Sequence, residues 1–256
     1  MIIPKTKQEI EKMRAAGKVV AEALTRLEAS IIPGKTTTAD LDKLAAAILS
    51  ERNALPSFKG YRGYPAVLCV AVNEEVVHAI PGARVLREGD IVGMDIGAIV
   101  QGYHADAAVT VPVGEVAPAA LNLLRVTREA LFRGIAQAQV GNRLTDISHA
   151  IQQYVEQNDY SVVRDLVGHG IGRSMHEDPQ VPNYGPPGRG PVLREGMTLA
   201  IEPMVNMGGP EVETLSDRWT MVTKDRTLSA HFEHTIAITS QGPDILTLRE
   251  GEDIPF

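Results

Sequence analysis

The stretch from Ile91 to Val113 alternates, and that alternation constrains the fold more than any other feature of the chain. Taking Gln101-Gly102 as a two-residue turn sets Asp95 opposite Ala108 and Asp106 opposite Gly97, since glycine accepts the positive φ that tight hairpin turns demand. In this register one face carries Val92, Met94, Ile96, Ala98, Val100, Tyr103, Ala105, Ala107, Val109 and Val111. A face that is apolar throughout has to be covered, and a slip of one residue would turn all of it to water. The opposite face carries Asp95, Gly97, His104 and Asp106. Diagonal neighbours across an antiparallel pair lie roughly 7 to 8 Å apart, so the two carboxylates can share an ion. The alternative for this motif alone is a solvated face with two incidental acids. On the first reading, Gly97 and Ala108 leave volume beside the acids for a metal and its water.

Helical periodicity supplies the cover. Thr6 followed by Glu9 is a capping box, after which Ile10, Met13, Val20, Leu24 and Leu27 recur at helical spacing. The helix is expected to stop at Ile31-Ile32-Pro33-Gly34, and Thr37-x-x-Asp40 opens a second one with Leu41, Leu44, Ile48 and Leu49 on one side. The same theme returns from Ala119 to Ala138, then, past Val140-Gly141-Asn142, from Thr145 to Val155 with Ile147, Ile151 and Val155. Strand-like runs follow each helix pair: Ala66 to Val72, Ile91 to Val100 and Tyr103 to Val113, then Met197 to Val205 and Phe232 to Thr239. This order predicts an α+β fold of two related αβ halves, roughly 1–113 and 114–256, within one domain of 256 residues. The repeat rests on element order, because residue identity between the halves is poor.

Three further residues belong with the two aspartates. Glu202 in Thr198-Leu199-Ala200-Ile201-Glu202-Pro203-Met204 and Glu233 in Ala230-His231-Phe232-Glu233-His234-Thr235-Ile236 are single acids in apolar strands. Burying either one requires a cation, a hydrogen-bond network or an exit to solvent at a sheet edge. His169 stands in Gly168-His169-Gly170-Ile171-Gly172, where it reads as a turn residue or as a ligand that close-packed glycine backbone brings near. The segment lacks the Walker pattern, and no G-x-G-x-x-G follows a strand, so a phosphate cradle is excluded. Four carboxylates and one imidazole would leave two divalent cations in a neutral cage. Such oxygen-rich ligation suits Mn(II), Fe(II), Co(II) or Zn(II) and argues against Cys-rich structural zinc. Two cations roughly 3.5 to 4 Å apart would activate a water and polarise a carbonyl.

Composition narrows the class. Hydrophobic residues at 44% and charged residues at 22% are the balance of an ordinary globular protein, and a net charge of -7 speaks against a phosphate-backbone binder such as a DNA-binding protein. The single cysteine, Cys69, rules out an intramolecular disulfide. Residues Met1 to Glu9 show no apolar core behind a basic start, and no apolar run reaches about 18 residues. A cytoplasmic protein that does not span the membrane is therefore expected.

With the motifs assembled, the chain resembles the type I methionine aminopeptidases of the creatinase-like or pita-bread superfamily. The resemblance rests on Asn73-Glu74-Glu75-Val76-Val77-His78-Ala79-Ile80-Pro81, Asp95-Ile96-Gly97, Tyr103-His104-Ala105-Asp106, Gly168-His169-Gly170-Ile171-Gly172 with His176, Ile201-Glu202-Pro203 and Phe232-Glu233-His234-Thr235. It covers nearly the whole chain and implies a pita-bread fold, with two pseudo-symmetric halves around an antiparallel sheet. It further implies that Asp95 chelates one of two divalent metals, Asp106 and Glu233 bridge both, and His169 and Glu202 complete the other. Glu202 would also relay a proton, His176 would stabilise the developing oxyanion, and His78 would hydrogen-bond near the nitrogen of the bond being cut. The implied methionine pocket is Phe58, Tyr61, Tyr64, Cys69, Met175 and Trp219.

The implied activity is removal of the initiator methionine from nascent polypeptide N-termini whose second residue is small. The enzyme would be a monomer, with transient ribosome association implied by the task. Three positions depart from the commonest family pattern: Phe58 is bulkier, Met175 replaces a frequent aromatic, and Ala107 stands where a hydroxyl residue often follows the bridging aspartate. Only 30 residues separate Glu202 from Glu233, which leaves no room for the helical insertion of type II enzymes. Two rivals remain open at this point. One is an X-Pro peptidase such as prolidase, which shares the metal motifs; the other is a non-catalytic pita-bread module that binds peptides, histones or RNA.

Overall fold

The helices begin where the sequence supplies partners for their first amides. In the computed structural model, which describes residues 1–254, α1 (Lys7–Ala29) is capped by Thr6, with the reciprocal Thr6–Glu9 bonds of a capping box. α2 (Thr38–Glu51) repeats the device with Thr37 and Asp40. α3 (Pro118–Ala136) opens with proline, which has no amide to satisfy at that position. α4 (Leu144–Glu156) starts one residue before the expected Thr145, with the Asp146 carboxylate accepting from the Arg143 amide at 2.7 Å.

The hairpin forms in the register expected. Strands Ile91–Val100 and Tyr103–Pro112 pair so that Asp95 faces Ala108 and Gly97 faces Asp106. Gln101 (φ 51°) and Gly102 (φ 78°) both take positive φ at the turn, as a primed hairpin turn requires. The predicted apolar face is buried: Val92, Met94, Ile96, Ala98, Ala105 and Ala107 are at most 1% exposed. α1 packs across both strands on that side. Val20, Leu24 and Leu27 share one apolar cluster with Met94, Ile96 and Val109.

The hairpin lies within a nine-stranded antiparallel sheet. From the centre outward, one side runs Tyr103–Pro112, Ile91–Val100, Leu68–Val72, and the other runs Glu233–Thr239, Thr198–Ile201, Gly168–Gly170. Each half therefore contributes a helix pair and then three sheet strands in the same inward order, an α+β arrangement of two pseudo-symmetric halves. Leu55–Pro56 pairs with the end of Ile91–Val100, Glu177–Val181 extends the second half beyond Gly168–Gly170, and Gly242–Ile245 folds back on Glu233–Thr239.

One expected strand proves to be interrupted, and the neighbouring one begins at the corresponding place. The run Met197 to Val205 divides into Thr198–Ile201 in the large sheet and Met204–Asn206 in a three-stranded sheet with Ser229–His231 and Ser161–Val162. The run Phe232 to Thr239 forms as expected, as Glu233–Thr239 in the large sheet, and the separate strand Ser229–His231 precedes it. Proline has no amide for a ladder bond, so Pro203 releases the chain from the first sheet. Its partner chain leaves at Phe232, whose amide donates to Pro203 O at 3.4 Å. Glu202 and Glu233 thus sit side by side at the point where two strands change sheets. No helix among the described residues is long and apolar enough to cross a membrane.

Candidate metal centre and its cleft

The hairpin places two of the acids, and other strands bring in the rest. Asp95 and Asp106 project from the polar face of the hairpin, while Glu233 enters opposite Ala108, the residue that also faces Asp95. His169 lies in a true strand, not a turn, paired with Ala200 on one side and Gln180 on the other. Its flanking glycines permit this close packing: a Cβ on Gly168 would stand 2.4 Å from Ala200 O, and one on Gly170 would stand 2.1 Å from Asp178 O. The volume beside Gly97 was expected to admit metal and water, and that expectation fails. A Cβ there would meet Ser57 Cβ at 2.7 Å and Phe58 Cε1 at 2.9 Å, so Gly97 makes room for the Ser57–Phe58 segment instead.

Ligand atoms of Asp106, His169 and Glu233 lie within 4.8 Å of one another. His169 Nε2 is 3.9 Å from Asp106 Oδ2 and 3.5 Å from Glu202 Oε1. Because His169 Nδ1 sits 2.9 Å from Gly170 O, it carries the proton and donates there, which leaves the Nε2 lone pair facing the acids. Buried Oδ1 of Asp95 has no hydrogen-bond partner within the protein. Burial raises the carboxyls of Asp95, Glu202 and Glu233 well above the usual carboxylate range, and the charge of Asp106 adds to each. Asp106 is raised by burial too, less so because His169 and the Thr235 hydroxyl favour its charged form. Thr235 Oγ1 is 3.2 Å from Asp106 Oδ1 and accepts from the Asp106 amide at 3.0 Å.

Such a nest of buried acids is costly unless positive charge enters it. The orphan oxygen of Asp95, the free Nε2 of His169 and the converging acids fit divalent cations.

All thirteen residues singled out in the sequence line one cleft: the five above with His78, His176, Phe58, Tyr61, Tyr64, Cys69, Met175 and Trp219. His176 stacks near His169, ring centroids 4.2 Å apart, and its Nδ1 lies 2.8 Å from Tyr61 Oη. Burial pushes its pKa down to about 4, with His169 adding to the effect, so the ring is neutral near pH 7. The tautomer of His176 follows from its bond to Tyr61: a Tyr61 hydroxyl that donates to Nδ1 places the ring proton on Nε2. His78 takes φ 58°, an unusual conformation for a non-glycine residue, and burial lowers its pKa as well. Phe58, Tyr64, Cys69 and Met175 form a separate apolar cluster joined by Tyr61 and Trp219, with Tyr64 and Trp219 in edge contact at 5.0 Å. Burial, then Asp95, pushes the Cys69 thiol well up, so it lines the pocket as a neutral group.

Two neighbours were not foreseen. Arg62 (φ 48°) lines the cleft beside Tyr61. His231 is buried with its Nε2 unpartnered, 3.8 Å from Glu202 Oε2, and burial followed by the effect of His78 pushes it down to about 3. Its place two residues before Glu233 was the available signal, but one strand of alternation put it in the same class as any other buried polar residue.

Comparison with known proteins agrees with this geometry. The profile of metallopeptidase family M24 matches residues 11–240. A methionine aminopeptidase of Clostridium acetobutylicum is 58% identical over 251 residues, spanning 98% of this chain and 100% of that one. The crystal structure of methionine aminopeptidase from Thermotoga maritima matches with a TM-score of 0.95 at 53% identity, covering 96% of this chain and 99% of that chain. Prolidase from Pyrococcus furiosus, at 23% identity, matches with a TM-score of 0.78 over 96% of this chain and 65% of that one, a likeness of fold alone.

Proposed function

The chain belongs to metallopeptidase family M24, with the pita-bread fold, and on that premise we propose that its cleft removes the initiator methionine from nascent proteins and peptides. It is a metal-dependent methionyl aminopeptidase, a hydrolase. The observation that carries the reading is the union, in one cleft, of a buried acid cluster and a pocket of Phe58, Tyr61, Tyr64, Cys69, Met175 and Trp219 suited to an unbranched thioether side chain.

Asp95 would hold one divalent cation, His169 and Glu202 another, and Asp106 and Glu233 would contact both. Bound there, two ions drawn from Fe, Mn, Co or Zn would supply Lewis acidity and a water acidic enough to serve as nucleophile near neutral pH. Glu202, a carboxylate once cations neutralise the buried acids, would take a proton from that water and pass it to the departing amine. His176, neutral with its proton on Nε2, donates to the carbonyl oxygen as negative charge grows there. His78 donates near the nitrogen of the bond being cut. The substrate's free α-amine binds on the Asp95 side, which restricts the enzyme to N-termini, and a wall beyond the bond favours a small second residue.

The remaining readings belong to the same proposal. The chain works as one catalytic domain with halves of roughly 1–113 and 114–256, as a cytoplasmic monomer that meets nascent chains near the ribosome.

Turnover of Met-Ala-Ser is expected to exceed that of Ala-Pro and Gly-Pro peptides and to vanish on chelation. Cleavage confined to the proline peptides would instead identify an X-Pro peptidase. A folded protein without any metal-dependent peptidase activity would point to a peptide-binding module.

A further inference from the structure

Between the strands Gly168–Gly170 and Glu177–Val181 runs the short loop that carries Met175 and His176. Its shape is held from a distant part of the chain. Lys5 Nζ donates to Glu177 Oε2 at 2.7 Å, with the lysine side chain only 6% and the glutamate 21% exposed. The other oxygen, Glu177 Oε1, accepts from the Ser174 amide at 3.1 Å, inside the loop. Lys5 is itself anchored, since its amide donates to Gly196 O at 2.7 Å and its ammonium also donates to Ile3 O at 2.9 Å. Gly172 clears the path: a Cβ there would stand 2.2 Å from Lys5 Cε and 2.8 Å from Glu177 Oε1. The base of the loop is tied as well, because Gly172 O accepts from the His104 amide at 2.8 Å.

Burial opposes the ionisation of Glu177, but the Lys5 ammonium and the loop amides outweigh it and hold the carboxyl below the usual range. A buried ion pair is a weak source of net stability, because desolvating two charges offsets most of their attraction. What this pair does supply is a fixed geometry, one residue along the chain from His176. We infer that the Lys5–Glu177 pair is a positioning device for His176, holding the loop so that the imidazole meets the scissile carbonyl oxygen. The inference rests on the role proposed above for His176.

In the full-length, metal-loaded enzyme, Lys5→Met is expected to lower kcat on Met-Ala-Ser by about 10-fold or more, the scale of a sub-ångström to 1 Å misplacement. KM should stay within about threefold, because the contact at issue strengthens only as the oxyanion forms. Calorimetric affinity for Mn(II) should not change, since no proposed ligand moves. A double-mutant cycle with His176→Ala decides the route of the effect: if Lys5 acts through His176, Lys5→Met adds no further loss in the His176→Ala background. Additive losses, or a wild-type kcat in the single variant, overturn the inference. Wild-type kcat in His176→Ala alone overturns the role of His176 instead. Should Lys5→Met fail to fold, Glu177→Gln keeps an acceptor for the Ser174 amide while removing the ion pair; an unchanged kcat there overturns the inference equally.

Discussion

At the scale of single residues, the site is a set of side chains whose charge state is decided by their neighbours. Asp106 illustrates this, being held at its backbone and its carboxylate by one hydroxyl, that of the fully buried Thr235. Thr235→Val keeps the shape and removes that hydroxyl, so divalent-metal affinity should fall by about 10- to 100-fold in a calorimetric titration. Unchanged affinity would mean that Thr235 serves packing alone. Tyr61→Phe tests the tautomer of His176: without the donor to Nδ1, kcat should drop several-fold, roughly 1 kcal/mol of barrier, with KM for the methionine side chain little altered. The five candidate ligands were legible because each stands in a short, chemically odd neighbourhood, an acid in an apolar strand or a histidine among glycines, whereas His78, His176 and the pocket residues came only from the family resemblance. Thr235, His231, Arg62 and the Lys5–Glu177 pair stand in no such neighbourhood. The partners of Thr235, His231 and Lys5 lie far away along the chain.

At the scale of elements, the hairpin and the helices were readable to within a residue or two, since alternation and capping are local properties. Gly17 shows where that reading stops. A glycine within α1 would ordinarily be improved by alanine by about 1 kcal/mol. Here a Cβ would stand 2.1 Å from Leu246 O, so Gly17→Ala should instead destabilise the protein by about 1 to 3 kcal/mol in denaturant unfolding. Thr6→Ala, which removes a capping box, should cost about 1 kcal/mol by the same measurement. The break within Met197 to Val205 and the separate strand Ser229–His231 were missed, because hydrophobic pattern alone does not say which sheet a strand belongs to. Pro203 was the local hint for one of them, and nothing equivalent marks Phe232.

At the scale of the whole molecule, the fold gathers acids from two halves into a place where they resist ionising together. Burial, with mutual repulsion, raises Asp95, Glu202 and Glu233, so the metal-free cluster holds its protons to higher pH than free carboxylates do, and a cation must displace them. Metal affinity should therefore rise with pH, and calorimetry at pH 7 in buffers of different ionisation enthalpy should register proton release on Mn(II) binding. Binding without proton release would contradict the raised carboxyls. The sequence by itself determined the hairpin register, the four helices, the αβ repeat in element order and the residues with the chemistry of a two-metal peptidase, because period, capping and ligand type are written locally. Only the tertiary structure decided that Glu202 and Glu233 meet where two strands change sheets, that Gly97 admits Phe58, and that Lys5 reaches the His176 loop. Those outcomes depend on which distant backbones pack together, and close packing between them is a property of the folded whole.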